Sequence, residues 1–184
     1  MIRDSLFDIL RFSTEITMNE TSLQKVDRNR AVDVVVRKND ESSDGLLVTQ
    51  FALGAADFGI DARLVLEVVK VGELTHVHHA PAGVVGIRNL RGRIVTVVDM
   101  AVHLGMGTVQ AGSETRLLIM EHQGESYGFM VDAVTDAIAL EPERIGAPPA
   151  NLDPVLRGRL RGVWRDGSKL TAILDPEALF HWSE

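Results

Sequence analysis

The residues best suited to chemistry are one arginine and the carboxylates that could hold it. Arg91 precedes Gly92, and a glycine there is free to adopt a positive φ, so the chain can turn sharply. The guanidinium of Arg91 is permanently charged, and its planar fork matches a carboxylate through two hydrogen bonds. The nearest acidic candidates are Glu67 and Asp99. We therefore predict that one of these two carboxylates forms an ion pair with Arg91.

Three closely spaced histidines form a second candidate group. His76, His78 and His79 lie in one loop before Pro81, and imidazole is a common metal ligand. A metal-dependent hydrolase built on this loop is therefore one alternative. A metal site needs three or four ligands on rigid elements, however, and adjacent histidines beside a proline are more typical of an exposed loop. We accordingly predict no metal ion and no cofactor.

The remaining polar residues do not form a pattern typical of an enzyme. Ser126 and Ser168 lack the neighbouring base that activates a nucleophile. Glu141 and Glu143 lie in a proline-rich loop rather than in the shaped pocket that acid–base catalysis needs. The sequence also has no glycine-rich loop between a strand and a helix, so it lacks the common phosphate-binding motif. We predict no catalytic residues.

Composition limits the kinds of partner that the chain can have. Its 184 residues are 45% hydrophobic, which suits one domain or two small joined ones. The net charge of −7 argues against a nucleic-acid binder, and the absence of cysteine excludes disulfides. No apolar run approaches the roughly 20 residues needed to cross a bilayer. Charged residues interrupt the start of the chain, so we expect no signal peptide, no membrane insertion and a cytoplasmic location.

The elements that position the candidate residues begin after residue 44. Residues 1–18 have an apolar face that includes Ile2, Leu6 and Ile9 at helical spacing, and residues 37–45 form a polar linker. We therefore divide the chain into an N-terminal extension, residues 1–44, with a possible amphipathic helix, and a domain formed by residues 45–184. A short β-rich run, residues 31–36, lies within the extension.

Alternating and β-branched runs dominate the domain. Residues 84–90 and 94–98 flank Arg91-Gly92 as a hairpin, and the second run is apolar enough to predict burial on both faces. Residues 126–140 read as one extended segment. The dipeptide Asp166-Gly167 predicts the turn of a last hairpin, and Asp175 followed by proline predicts the start of a short helix.

The domain also contains an internal repeat. A shift of 69 residues places Phe58 on Tyr127, and a shift of 76 places residues 94–99 on residues 170–175. Each half has the order hairpin, extended run, loop, hairpin, aspartate, short helix. We infer two related small β-barrels of about five strands each. The shift of 76 places Gly167 on Arg91, so the barrel itself does not require an arginine at that turn.

Several ordered blocks resemble the CheW-like family of bacterial chemotaxis adaptors. The most specific block is residues 81–92, which ends in Gly-Ile-Arg-Asn-Leu-Arg-Gly. Residues 127–134 are similar to the family's Gly-x-x-Val-Asp-x-Val motif. Further blocks that resemble the family are residues 53–60, 65–68, 94–100 and 167–175.

This resemblance implies a mainly β fold, with two five-stranded SH3-like β-barrels around a pseudo-two-fold axis and short helices. It also implies a non-catalytic adaptor that couples the cytoplasmic tip of a chemoreceptor to the regulatory domain of a histidine kinase, at membrane receptor arrays. An adaptor of another chemosensory pathway, controlling pili or transcription, remains the alternative. The predicted partner-binding residues are Glu67, Ile87, Asn89, Arg91, Gly92 and Asp99.

Overall fold

The computed structural model describes residues 45–181. The helix and the β-rich run predicted within residues 1–44 lie outside this part of the chain. The strands are β1 (Leu46–Leu53), β2 (Ala56–Asp61), β3 (Glu67–Lys70), β4 (Val84–Leu90), β5 (Arg93–Asp99), β6 (Arg116–His122), β7 (Glu125–Val131), β8 (Ala133–Leu140), β9 (Ile145–Gly146), β10 (Leu160–Asp166) and β11 (Lys169–Leu174). The same part of the chain has three short α-helices: α1 (Met100–His103) follows β5, α2 (Pro154–Gly158) precedes β10, and α3 (Pro176–Leu179) follows β11.

The strands form two sheets, which confirms the prediction of a mainly β fold with two small units. One sheet has the order β3-β6-β7-β5-β4, and the other has the order β8-β1-β2-β11-β10-β9. The sixth strand of the second of these sheets, β9, has only two residues. The hairpin β1–β2 therefore lies with the last strands, and the hairpin β6–β7 lies with β3, β4 and β5. The two repeats thus exchange their first hairpins.

Strand pairing reproduces the internal repeat residue by residue. Phe58 on β2 pairs with Ala172 on β11 in a parallel arrangement. Tyr127 on β7 pairs with Thr96 on β5, also in parallel. The shift of 69 relates Phe58 to Tyr127, and the shift of 76 relates Thr96 to Ala172. The repeat therefore describes how the two sheets are built.

The chain changes sheets at Asp132, where the sequence predicted one extended segment. Strand β7 belongs to the five-stranded sheet and β8 to the six-stranded sheet. The carboxylate of Asp132 accepts hydrogen bonds from the backbone nitrogens of Gly54 at 2.6 Å and Gln110 at 3.2 Å. The prediction of a continuous segment over residues 126–140 was wrong because these bonds fix a bend that apolar alternation does not reveal.

One apolar core joins the two sheets, and a smaller one lies within the six-stranded sheet. The joint core includes the fully buried side chains of Phe51, Phe58, Leu118, Phe129 and Leu174. The smaller core contains Val48, Leu140, Trp164 and Ile173. The two sheets bury apolar side chains against each other, and this packing holds the two units together.

Two local predictions need correction. Ile94 is 59% exposed, although Val97 and Val98 on the same strand are fully buried. Ile94 lies near the hairpin turn, where β5 pairs with β4 but extends past β7, whose ladder with β5 begins at Val95. In the last hairpin, Asp166 pairs with Lys169, so the turn is one residue later than predicted.

Candidate partner-binding site

The predicted ion pair of Arg91 forms with Glu67. Nη2 of Arg91 lies 3.1 Å from Oε2 of Glu67, and their side chains are 79% and 28% exposed. Glu67 begins β3, and Arg91 lies in the turn between β4 and β5. The carboxylate therefore orients a guanidinium that remains largely open to solvent and to a partner.

The turn that carries Arg91 has a left-handed backbone. Arg91 has φ 53° and Gly92 has φ 86°, the combination required by a two-residue turn that matches the twist of the strands. The side chain of Asn89 accepts a hydrogen bond from the nitrogen of Gly92 at 2.8 Å. In the other repeat the position of Arg91 is Gly167, with φ 56°. A glycine is the easier residue at such a φ, so the arginine at this turn is consistent with a role for its side chain.

The ion pair joins the two ends of the five-stranded sheet. Strands β3 and β4 are the outermost strands in the order of hydrogen-bonded neighbours. Just beyond β3, Thr75 exchanges two backbone hydrogen bonds with Ile87 of β4, each 2.8 Å long. The sheet therefore curls until its ends meet, as in a small barrel. Glu67, Ile87, Asn89, Arg91 and Gly92 lie along this closing seam.

Asp99 lies apart from the other predicted site residues. Its Oδ1 accepts hydrogen bonds from Ala101 and Val102 at 2.9 and 3.1 Å, and its Oδ2 accepts one from Val109 at 3.0 Å. The side chain caps helix α1, and the residue is 5% exposed. It is at the far end of β5 from Arg91, about 20 Å away at strand spacing. We therefore leave Asp99 outside the proposed contact surface.

Sequence reasoning missed Arg88, a half-buried residue of β4. Its Nη1 donates hydrogen bonds to the backbone oxygens of Lys70 and Val71, at 2.5 and 3.0 Å. The residue therefore ties β4 to the end of β3. The repeat offered a signal, because the shift of 76 places Arg88 on Trp164, directly after two positions that match between the halves, Gly86 with Gly162 and Ile87 with Val163.

Exposed apolar side chains flank the seam. Ile94 is 59% exposed, and Leu66, which precedes β3, is 58% exposed. Beside Ile94 lies an open depression between β5 and β7, lined by Arg93, Ile94, Thr96, Glu121, Gly124, Glu125 and Ser126. Nη1 of Arg93 lies 3.6 Å from Oε2 of Glu121 across it. An apolar side chain with charged groups around it is the usual composition of a protein-binding surface.

The three loop histidines do not converge. The rings of His76 and His78 meet edge to face with centroids 5.3 Å apart, and His79 has φ 58°. Between residues 45 and 181, no group of three or more histidine, aspartate or glutamate side chains is placed to hold a metal ion.

A buried polar contact joins the helices α1 and α3. Nε2 of His103 lies 2.7 Å from the backbone oxygen of Leu179 and 2.7 Å from Nη1 of Arg159. Burial lowers the pKa of His103 to about 4, and the neighbouring Arg159 charge adds to the effect. Burial also lowers the pKa of Arg159. A neutral imidazole is therefore part of the joint between the two units at neutral pH.

Comparison with known proteins identifies the family. A model of the CheW-like domain matches residues 47–184. The chemotaxis protein CheW of Treponema pallidum is 33% identical over 150 residues, which are 79% of this chain and 86% of that protein. The chemotaxis protein CheW of Klebsiella aerogenes is 28% identical over 134 residues, which are 73% of this chain and 81% of that protein.

A solved structure agrees with these matches. The scaffolding protein TtCheW from Thermoanaerobacter tengcongensis superposes with a TM-score of 0.68 at 28% identity, covering 78% of this chain and 93% of its own. Within residues 45–181, no helix is both long enough and apolar enough to cross a membrane. The chain belongs to the CheW-like family and is a non-catalytic scaffold of bacterial chemotaxis.

Proposed function

We propose that this chain couples the cytoplasmic tip of a chemoreceptor to the regulatory domain of a histidine kinase. The observation that carries the proposal is the Glu67–Arg91 pair, which holds a largely exposed guanidinium at the turn of the β4–β5 hairpin. That hairpin is also the block with the most specific resemblance to chemotaxis adaptors. In a family of scaffolds, an oriented and exposed charge serves recognition, because it fixes the register of a partner.

Apolar groups beside the pair supply the surface that association needs. Ile94 and Leu66 are exposed on the unit that contains Arg91. We propose that the kinase domain packs one β-barrel against the exposed end of the β4–β5 hairpin. The receptor helix would lay an apolar stripe in a neighbouring groove. Binding to receptors would place the scaffold at membrane receptor arrays without an insertion of its own.

The direct test is complex formation with purified partners. The full chain is mixed with the regulatory domain of the kinase encoded beside its gene, and with a water-soluble fragment of a receptor tip. We expect complexes in size-exclusion chromatography and a micromolar Kd by calorimetry, as is typical of small interfaces. No complex with either partner at high micromolar concentration would overturn the proposal.

Matched variants locate the kinase contact. Ile94→Asp places a charge at an apolar position that is 59% exposed, and Leu47→Asp does the same at one that is 40% exposed on the other sheet. Both should fold, since neither side chain is part of a core. Only Ile94→Asp should weaken kinase binding. The identity of the kinase that binds also decides between swimming chemotaxis and another chemosensory pathway.

A further inference from the structure

We propose that Arg88 positions the Glu67–Arg91 pair by holding strand β4 against the end of strand β3. The inference rests on the proposed function, because that pair is the recognition group for a partner. Nη1 of Arg88 donates to the oxygens of Lys70 and Val71, at 2.5 and 3.0 Å. Lys70 is the last residue of β3, and Glu67 is its first. One side chain of β4 therefore fixes the strand that presents Glu67.

The acceptors of Arg88 lie on an open sheet edge. Within its sheet, β3 forms a hydrogen-bonded ladder with β6 alone, so the edge that faces β4 is not part of a ladder. Such an edge leaves backbone carbonyls that need donors. A guanidinium can serve two carbonyls at once, and it does so here. Arg88 thus takes the place of the ladder that β3 and β4 do not form.

The surroundings of Arg88 are shaped for this contact. Gly72 has φ 63°, and a Cβ atom added to it would lie 2.9 Å from Cζ of Arg88. A glycine at this position therefore leaves room for the guanidinium. The next residue toward the N-terminus of β4, Ile87, makes the two backbone bonds to Thr75. Arg88 makes its contact through the side chain, and Ile87 makes its contact through the backbone. Two adjacent residues of β4 are therefore bonded to the segment that begins with β3.

The second repeat shows that the fold alone does not require Arg88. Its equivalent, Trp164, is 9% exposed and packs in the small core with Val48, Leu140 and Ile173. A two-residue ladder between β9 and β10 closes that unit, and Nη2 of Arg144 donates to the backbone oxygen of Arg165 at 2.9 Å with its guanidinium over the Trp164 ring. In the unit that carries Arg91, the corresponding donor is Arg88 of β4 itself. Arg91 is 79% exposed, so solvent weakens its attraction to Glu67, and the pair contributes little to holding the seam. Their separation is thus set by Arg88.

The experiment compares three variants of the full chain. Arg88→Met keeps the apolar stem and removes the donors, and Arg88→Lys keeps a charged donor. Arg161→Met is the control, because Arg161 is an exposed arginine on β10, in the equivalent hairpin. In the free protein, amide hydrogen exchange at Thr75 and Ile87 should become at least tenfold faster in Arg88→Met. We expect partial recovery in Arg88→Lys and no change in Arg161→Met.

Partner binding supplies the second readout. We expect Arg91→Met to raise the Kd for the kinase regulatory domain about tenfold in the wild-type background, and less than twofold in the Arg88→Met background. We also expect Arg88→Lys to retain binding within about threefold of wild type. These outcomes follow if Arg88 acts through the Glu67–Arg91 pair.

Two results would overturn the inference. One is unchanged amide exchange at Thr75 and Ile87 in Arg88→Met. The other is a full tenfold effect of Arg91→Met in both backgrounds, which would mean that the two arginines act independently. If Arg91→Met leaves binding unchanged in the wild-type background, the proposed function loses its recognition group. Amide exchange in the free protein then still decides whether Arg88 closes the sheet.

Discussion

Gly86 and Gly162 occupy the same position in the two repeats, and each lies against a backbone carbonyl. A Cβ atom on Gly86 would lie 2.5 Å from the oxygen of Thr75, and one on Gly162 would lie 2.6 Å from the oxygen of Gly146. Each glycine also lies where the strand register shifts by one residue. This close approach lets a passing segment hydrogen-bond to the strand and complete each unit.

We expect Gly86→Ala to lower the free energy of unfolding by about 1 to 3 kcal/mol, the usual cost of forcing a methyl group into a packed site. The atom in the way is backbone, so it cannot move aside as a flexible side chain would. Gly158→Ala is the control, because a Cβ there meets nothing within 4 Å. Urea denaturation measures both variants. Equal stability of Gly86→Ala and wild type would contradict the close approach.

Gln50 and Thr171 form a buried polar pair where the other unit has an apolar one. Nε2 of Gln50 donates to Oγ1 of Thr171 at 3.0 Å, and the two residues are 2% and 0% exposed. The two sequence shifts place them on Ile119 and Val95. The protein therefore already contains an apolar version of this contact.

We expect Thr171→Val alone to cost about 1 to 3 kcal/mol, because it leaves the buried amide of Gln50 without an acceptor. The double variant Gln50→Ile/Thr171→Val should cost less than the sum of its single changes, since it reproduces the apolar pair of the other unit. Denaturant unfolding of the four proteins in the cycle gives the coupling. Strict additivity would show that the hydrogen bond contributes nothing.

Local patterns in the sequence were sufficient for the hairpins, the cap of the last helix and the repeat. The β4–β5 turn was predicted from Arg91-Gly92, and Asp175 caps α3 through hydrogen bonds from Glu177 and Ala178 at 2.9 and 3.4 Å. Each of these features depends on residues within a few positions of one another. The sequence left two candidate partners for Arg91, Glu67 and Asp99. The contact with Glu67 forms because the sheet curls until β3 and β4 meet, and local patterns do not reveal that curl.

The exchange of hairpins between the repeats could not be predicted locally. It depends on parallel pairing between strands distant in the chain, such as Phe58 with Ala172. The change of sheet at Asp132 depends on its bonds to Gly54 and Gln110, which are also distant. Asp99 illustrates a different difficulty. A carboxylate at a strand end is equally suited to a partner contact and to a helix cap, and only its burial distinguishes them.

Arg91→Glu should separate recognition from stability. The Arg91 side chain is 79% exposed, so loss of its pair with Glu67 should change the free energy of unfolding by about 1 kcal/mol or less. Binding to receptor or kinase should weaken about tenfold or more, equivalent to about 1.4 kcal/mol. Thermal melting and calorimetry on one preparation measure both. A parallel loss of stability and binding would favour a purely structural pair, and full binding would remove Arg91 from the site.

Deletion of residues 1–44 should leave a folded domain. Residues 45–181, the part of the chain that the structure describes, contain two sheets and two apolar cores. We expect a cooperative melt with a Tm within about 4 °C of the full chain, which for a domain of this size is about 1 kcal/mol. Loss of the cooperative transition would instead mean that Ile2, Leu6 and Ile9 cover the core.

His103 should make stability depend on pH below neutrality. Its folded pKa is about 4, lowered from 6.5 chiefly by burial and then by the charge of Arg159. Between these two values the unfolded chain binds a proton at this site and the folded chain does not. Stability therefore rises with pH across this window. The contribution of His103 to the free energy of unfolding should be complete above about pH 6.5 and should decrease as the pH falls toward 4. Below pH 4 this group should cause no further decrease.

His103→Gln should remove this part of the pH dependence. In the neutral imidazole Nε2 either donates to the oxygen of Leu179 or accepts from Arg159, whereas a glutamine amide has a separate donor and acceptor for these two partners and does not titrate. We expect wild type to lose on the order of 3 kcal/mol more than His103→Gln between pH 6.5 and 4. His78→Gln, at an exposed loop position, is the control and should follow wild type. Urea denaturation at several pH values measures the difference, and superimposable profiles for wild type and His103→Gln would exclude a proton-linked role for His103.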